Sequence, residues 1–270
     1  MKVESDPDVP LISRRALGSA RRLLRRKTRA ETGLFLAEGA QVVREALKRP
    51  GVVVTLVVDD PEHHGELIQM AGGVEVVRAA PEDLRTLCDT VTPQGVVAVC
   101  RWPRARLEQV QRPRLVVICA QVRDPGNAGT IVRCADAFGA DAVICTRGSV
   151  DVTNPKTVRA SVGSLFHLPV ITDADLGETI EWAHAQAMTV LAADGGGTAL
   201  DELDARGDLA RPVAWLMGNE AWGLPDEQLA VADQVAAVPM WGQAESLNVS
   251  TAAAICLYAT ASAQRREPSR

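Results

Sequence analysis

The second half of this chain repeats a pattern that few folds accommodate. Short apolar runs at residues 115–120, 142–145, 188–192, 213–217 and 235–238 alternate with segments of helical character. Runs that are apolar throughout, rather than at every second position, belong to strands covered on both faces. Such strands, separated by helices, predict a mostly parallel sheet in an α/β domain. An Ala-rich stretch over residues 250–264 predicts a long C-terminal helix. No internal repeat of fixed period appears.

The first hundred residues read as a smaller α/β unit. A β-branched run at 52–58 predicts a buried strand, and a helix over 40–48 is stopped by Pro50-Gly51. Helices over 61–70 and 81–88 and strands at 74–77 and 95–100 complete it. Residues 1–10 read as a frayed tail. Residues 101–114 carry Pro103, Pro113 and five arginines with little apolar periodicity, which predicts a linker. The expected organisation is an N-terminal domain over 1–101, a linker over 102–114 and a C-terminal domain over 115–270.

Total charge hides a local excess. The chain sums to −5, yet eight basic residues and no acid lie between residues 11 and 29, so the remainder carries −13. The apolar positions Ala16, Leu17, Ala20, Leu23 and Leu24 have helical spacing. A helix over 13–27 would pack that face and present Arg14, Arg15, Arg21, Arg22, Arg25, Arg26 and Lys27 outward. Basic density of this kind suits RNA phosphates even on an acidic protein; a solvated basic helix is the alternative.

Other classes fall away. No run of about 18 uncharged apolar residues is present, so no spanning helix and no membrane partner are expected. No apolar segment follows the N-terminal basic residues, so no secretory signal is expected. The six cysteines are not arranged as C-x-x-C, and most lie in apolar runs. They predict buried thiols in a reducing, cytoplasmic setting, and no metal site. Neither a G-x-G-x-x-G turn nor a Walker loop exists, which argues against dinucleotide or nucleoside triphosphate chemistry. Gly195-Gly196-Gly197 follows an apolar run and reads as a flexible loop, with ligand approach the alternative.

In open α/β sheets ligands bind beyond the carboxyl ends of the strands. After the first run comes Asp124-Pro125-Gly126-Asn127-Ala128-Gly129, where Asn127 can cap a helix carrying Arg133. The fourth run leads to Gly218-Asn219-Glu220-Ala221-Trp222-Gly223, where two glycines frame a carboxylate and an indole. After the fifth come Pro239-Met240 and then Ser246-Leu247-Asn248-Val249-Ser250, directly before the long helix. Each stretch alone fits an ordinary turn or cap.

Together they resemble the three motifs of the SpoU/TrmH family of RNA ribose 2′-O-methyltransferases, within the SPOUT superfamily. N-x-G-x-x-x-R is matched by Asn127, Gly129 and Arg133. G-x-E-x-x-G is matched by Gly218, Glu220 and Gly223, and S-L-N-V-S by residues 246–250. The two-part layout resembles the thiostrepton-resistance type of rRNA methyltransferase. The resemblance implies a C-terminal α/β trefoil-knot domain and a small N-terminal ribosomal-protein-like α/β domain that binds RNA. It also implies a homodimer and S-adenosyl-L-methionine as cofactor. It carries cofactor contact to Met217, Gly218, Asn219, Gly223, Val238, Met240 and Leu247. It carries catalytic roles to Arg133, Asn127, Glu220, Ser246 and Asn248.

The implied reaction is methylation of a ribose 2′-hydroxyl in structured RNA, with large-subunit ribosomal RNA the expected target. A tRNA target, or a non-catalytic RNA-binding or ribosome-assembly protein of the same fold, is the alternative. Free arginine is a poor base, because its guanidinium holds its proton. Arg133 is therefore expected to orient the ribose and stabilise developing alkoxide charge. Either an RNA phosphate or a perturbed Arg133 would take the proton. Some resistance members carry a second arginine where this chain has Val162, so roles resting on that residue do not transfer.

Overall fold

The computed structural model describes residues 9–266; of the expected tail, residues 1–8 lie outside that range. The chain forms two compact units. One spans Met1–Pro103 together with Thr153–Phe166, and the other spans Arg104–Val152 and His167–Arg270.

The first unit opens with α1 (Arg14–Arg22) and α2 (Arg26–Thr32). The sequence suggests one helix over 13–27, but the chain breaks at Leu23, which is buried. The guanidinium of Arg29 donates to the carbonyls of Leu23 and Leu24, both at 2.9 Å. It satisfies acceptors that the break releases. Arg29 is 5% exposed, so this member of the basic cluster serves the fold. Next come β1 (Leu34–Glu38), α3 (Ala40–Leu47), β2 (Val53–Val58), α4 (Gly65–Ala71), β3 (Glu75–Arg78), α5 (Pro81–Arg85) and β4 (Val96–Arg101). The sheet order is β1-β4-β2-β3, with only β2 and β3 parallel. Leu36, Val57, Val97 and Val99 pack with Leu84, Leu87 and Leu23 to form its core.

Residues 153–166 belong to this unit although they lie inside the second half of the sequence. They contain α7 (Pro155–Ser161), which follows α6 (Pro125–Phe138) and β6 (Ala142–Thr146) in the chain. Phe166 stacks on Phe35 with ring centroids 6.1 Å apart. Arg159 reaches Asp89 at 3.2 Å and Glu38 at 3.8 Å. Arg159 is therefore held by carboxylates.

The second unit contains β5 (Leu115–Cys119), then α6, β6, β7 (Val170–Ala174), α8 (Leu176–Ala185), β8 (Thr189–Ala199), α9 (Leu200–Ala205), β9 (Val213–Met217), α10 (Asp226–Leu229), β10 (Gln234–Ala237) and α11 (Val249–Arg266). Its sheet order is β10-β8-β9-β5-β6-β7, and every pairing is parallel. This is the all-parallel sheet expected of the trefoil-knot domain. The chain runs from β5 outward through β6 and β7, then crosses to build β8, β9 and β10 on the other side. β5 and β9 meet at that switch, with Cys119 opposite Met217 at their carboxyl ends.

Three local expectations change. Gly195-Gly196-Gly197 is strand, not loop: β8 continues through it. A Cβ on Gly197 would lie 2.4 Å from the Val235 carbonyl carbon, so only glycine lets β10 pack there. β7 has no counterpart among the apolar runs, because only its first two residues are buried. Val110, within the stretch read as a linker, is buried against the second unit's core.

Buried strand residues alternate between the two faces. On one face Val116, Ile118, Ile144, Val190 and Leu216 pack with Ile180 and Ala183 of α8. On the other, Trp215 donates its indole N–H to Thr260 Oγ1 of α11 at 2.9 Å, and both residues are buried. Thr260→Val preserves shape but strands that donor. It is expected to cost about 1–3 kcal/mol, read as a lower urea midpoint with unchanged slope. An unchanged midpoint would show that the bond contributes nothing.

Candidate active site

The three motif segments converge on one hydrogen-bonded assembly at the carboxyl end of the parallel sheet. β5 and β9 end side by side, so residues 120–127 and 218–223 emerge as neighbours. α6 begins at Pro125, capped by the Asp124 carboxylate, which accepts from the Asn127 N–H at 2.9 Å. Asn127 is therefore not the cap. Its side chain is freed for other partners, because Asp124 already satisfies the helix start.

Asn127 Nδ2 donates to Glu220 Oε1 at 3.2 Å. Its Oδ1 accepts from Asn248 Nδ2 at 3.0 Å. Asn248 precedes α11, and its Oδ1 accepts from the Ser250 N–H at 2.9 Å and from Ser250 Oγ at 2.6 Å. One carboxamide thus links the start of α6, the turn after β9 and the start of α11. Glu220 also accepts from the backbone N–H groups of Arg123 at 3.1 Å and Asp124 at 2.9 Å. Burial raises its carboxyl, but the N–H groups of Asp124, of Glu220 itself and of Arg123, with the Asn127 amide, outweigh that and hold it below its ordinary value.

The turn after β9 is closed by paired 2.9 Å backbone bonds between Asn219 and Gly223. Asn219 Nδ2 donates to the Gln121 carbonyl at 2.7 Å. A Cβ on Gly218 would lie 2.5 Å from the Gly223 carbonyl carbon, so this tight turn requires glycine there.

The turn, the end of β10 and residues 245–249 enclose a cavity of about 330 Å³. Met217, Gly218, Asn219, Glu220, Gly223, Val238, Met240, Ser246, Leu247 and Asn248 all line it. Asn127 and Arg133 are not among its walls. Asn127 acts on it through Glu220 and Asn248. Arg133 lies on the exposed face of α6, about one and a half turns beyond Asn127. It makes no hydrogen bond or ion pair with a described residue. Sequence reasoning missed Asp194 of β8, which also lines the cavity, while Gly195, where ligand approach was the alternative to a loop, lines it beside Asp194. It also missed the part played by Gln121 and Arg123.

In the first unit, Arg14, Arg15, Arg21, Arg22, Arg25, Arg26 and Lys27 are all exposed, and Arg21, Arg22 and Arg25 line a groove with Gly18 and Leu24. Among the described residues no cluster of three or more metal-binding side chains occurs. Among these residues no helix is long and apolar enough to cross a membrane. The six cysteines form no disulfide. Burial pushes the Cys256 thiol up to about 12, so it packs as a neutral group.

Because the Glu220 carboxyl is held below its ordinary value, its contribution to stability is present above the usual carboxylate range and lost as pH falls through its depressed value. Wild type should melt above Glu220→Gln at neutral pH, with the gap closing on acidification. A gap that persists or widens in acid would contradict the assigned bonding.

Comparison with known proteins gives a consistent picture. The SpoU rRNA Methylase family model matches residues 114–258, and the MRM3-like substrate binding domain matches residues 17–98. The chain is 36% identical over 240 residues to a Bacillus subtilis (strain 168) 23S rRNA (guanosine(2553)-2′-O)-methyltransferase, covering 88% of this chain and 92% of that one. It is 33% identical to a Streptomyces viridochromogenes 23S rRNA (uridine(2479)-2′-O)-methyltransferase, covering 86% and 84%. An AdoMet-bound rRNA methyltransferase from Sinorhizobium meliloti superposes with a TM-score of 0.82 at 32% identity, over 97% of this chain and 98% of that one. The chain belongs to the SpoU rRNA methylase family, as an RNA 2′-O-methyltransferase.

Proposed function

We propose that this protein transfers a methyl group from S-adenosylmethionine to a ribose 2′-hydroxyl of large-subunit ribosomal RNA. The observation that carries the reading is the convergence of the second and third motifs on one cavity, with Asn127 of the first motif tying them together from behind its walls. Two relatives named for 23S rRNA act on different nucleotides, a guanosine and a uridine, so they support the RNA class and not one base.

The cavity suits the cofactor. Its volume lies at the lower end of the range for small-molecule sites. Met217, Val238, Met240 and Leu247 offer apolar walls for an adenosine, and Gly218 lets a ligand lie against backbone. Asp194, Glu220 and Glu245 also line it, and carboxylates favour a ligand carrying a sulfonium and an ammonium. Bound there, S-adenosylmethionine supplies an activated methyl group.

The chain's own residues do the rest. Asn127 holds Glu220 and Asn248 in fixed relation, which sets the cavity walls before substrate arrives. Arg133 donates to the ribose oxygen and stabilises its negative charge as the hydroxyl proton passes to an RNA phosphate, or to a perturbed Arg133 itself, and the oxygen takes the methyl group. Ser246 and Asn248 hold the target nucleotide or shape the loop beside it. The exposed arginines of α1 and of the turn into α2 bind RNA phosphates. We place the protein in the cytoplasm with its ribosomal substrate.

We also read the protein as a homodimer. Tyr258 of α11 is 60% exposed and meets Phe138 of α6 edge-on at 5.6 Å, an aromatic surface suited to a second copy. Light scattering at micromolar concentration should give twice the 28.8 kDa chain mass; a monomer would contradict this.

Calorimetric titration with S-adenosylmethionine, with NADH and ATP as controls, tests the central reading. Binding of the methionine cofactor alone is expected for wild type and for Arg133→Ala. The variant should lose methyl transfer by at least about a hundredfold, a typical cost of one oxyanion donor. Near-normal turnover would remove Arg133 from the chemistry.

A further inference from the structure

Beside the cavity stands an aromatic surface that the cofactor site does not use. Trp222 follows Ala221 and precedes Gly223, both cavity-lining, yet its indole is 50% exposed. The guanidinium of Arg123 lies over the ring, 4.9 Å from its centroid. Arg123 is exposed and forms no ion pair among the described residues, so its charge is not spent on a carboxylate. The stack is also fixed in place. The Arg123 N–H is held by Glu220 Oε2 at 3.1 Å, and Glu220 is two residues before Trp222. Val122, on the other side, is buried. One carboxylate therefore anchors the backbone of Arg123 and forms a wall of the cavity.

We propose that the Arg123–Trp222 stack is a platform for a nucleobase of the RNA substrate, at or next to the nucleotide whose ribose is methylated. This rests on the methyltransferase reading above. The physical need is specific. A 2′-hydroxyl can line up with a methyl donor in a recessed cavity only if its nucleotide leaves the helical stack. Unstacking is costly, and stacking on an aromatic ring or a guanidinium plane offsets that cost. A cation already stacked on the indole adds attraction for the phosphate that travels with the base. The platform accepts any base, because every base presents a π-face.

Trp222→Ala and Trp222→Phe in the full-length protein test this. The substrate is a transcript of large-subunit rRNA, with filter binding, steady-state methyl transfer and S-adenosylmethionine calorimetry as readouts. Trp222→Ala should weaken RNA binding and raise the KM for RNA about tenfold, the low end of the range for one stacked base. kcat should change little and cofactor affinity not at all, while Trp222→Phe restores most of the loss. Unchanged RNA affinity in Trp222→Ala overturns the proposal. So does lost cofactor affinity, which would make the indole a support for the turn. A change from dimer to monomer on light scattering would also overturn it, by assigning the indole to an interface between copies. If wild type transfers no methyl to the transcript, the methyltransferase reading fails instead, and filter binding still decides the platform.

Discussion

The site depends on the bonding of one carboxamide. Asn127 donates to Glu220 and accepts from Asn248, and these three residues are spread over more than a hundred positions of sequence. Few side chains can do both. An aspartate would repel Glu220, and a leucine would take one partner from each of Glu220 and Asn248 and so untie the two segments. The amide carries no charge of its own, so it joins a carboxylate and an amide without creating a second ion to desolvate. Glu220 then gathers backbone N–H groups from the loop after β5, and Asn248 caps α11. The cavity is what remains between elements fixed in this way.

The parallel sheet makes that bonding possible. Neighbouring carboxyl ends at a switch in strand order leave two loops side by side with no strand between them. Here the switch falls between β5 and β9, and Cys119 stands opposite Met217 where the loops begin. β8 extends past its neighbours through three glycines, letting β10 close in beside it and bringing residues 238–248 over the cavity. The charges are divided accordingly. The cavity is lined by carboxylates suited to a cationic ligand, while exposed cations lie on α1, on the turn into α2, at Arg123 and at Arg133. A polyanion is drawn to the surface and a cation to the interior.

Much of this was legible in the sequence, for identifiable reasons. Five apolar runs predicted five of the six strands, because strands buried on both faces have no reason to alternate. Glycines, amides and a serine that serve no core marked the motif segments, and the family resemblance those segments carry extended the expectation to apolar residues such as Met217, Val238, Met240 and Leu247; all ten line the cavity. The misses share a different cause. Asn127 read as a helix cap, since nothing local reveals that Asp124 takes that position. The break at Leu23 depends on Arg29 reaching back to two carbonyls, a tertiary bond with no periodic signature. Residues 153–166 join the first unit through Phe166 on Phe35 and Arg159 on Asp89, partners far away in sequence. The Arg123–Trp222 stack was invisible for the same reason.

Ribose methylation is the activity on which the site's reading rests, and alkaline hydrolysis reads it most directly. Ribosomal RNA incubated with the protein and methyl-labelled S-adenosylmethionine would be hydrolysed in alkali and separated by charge. A 2′-O-methyl group blocks cleavage of the adjoining phosphodiester. Label is expected in alkali-resistant dinucleotides from large-subunit RNA. Label confined to mononucleotides, which marks methylation of a base, or no label in any RNA fraction, would contradict it.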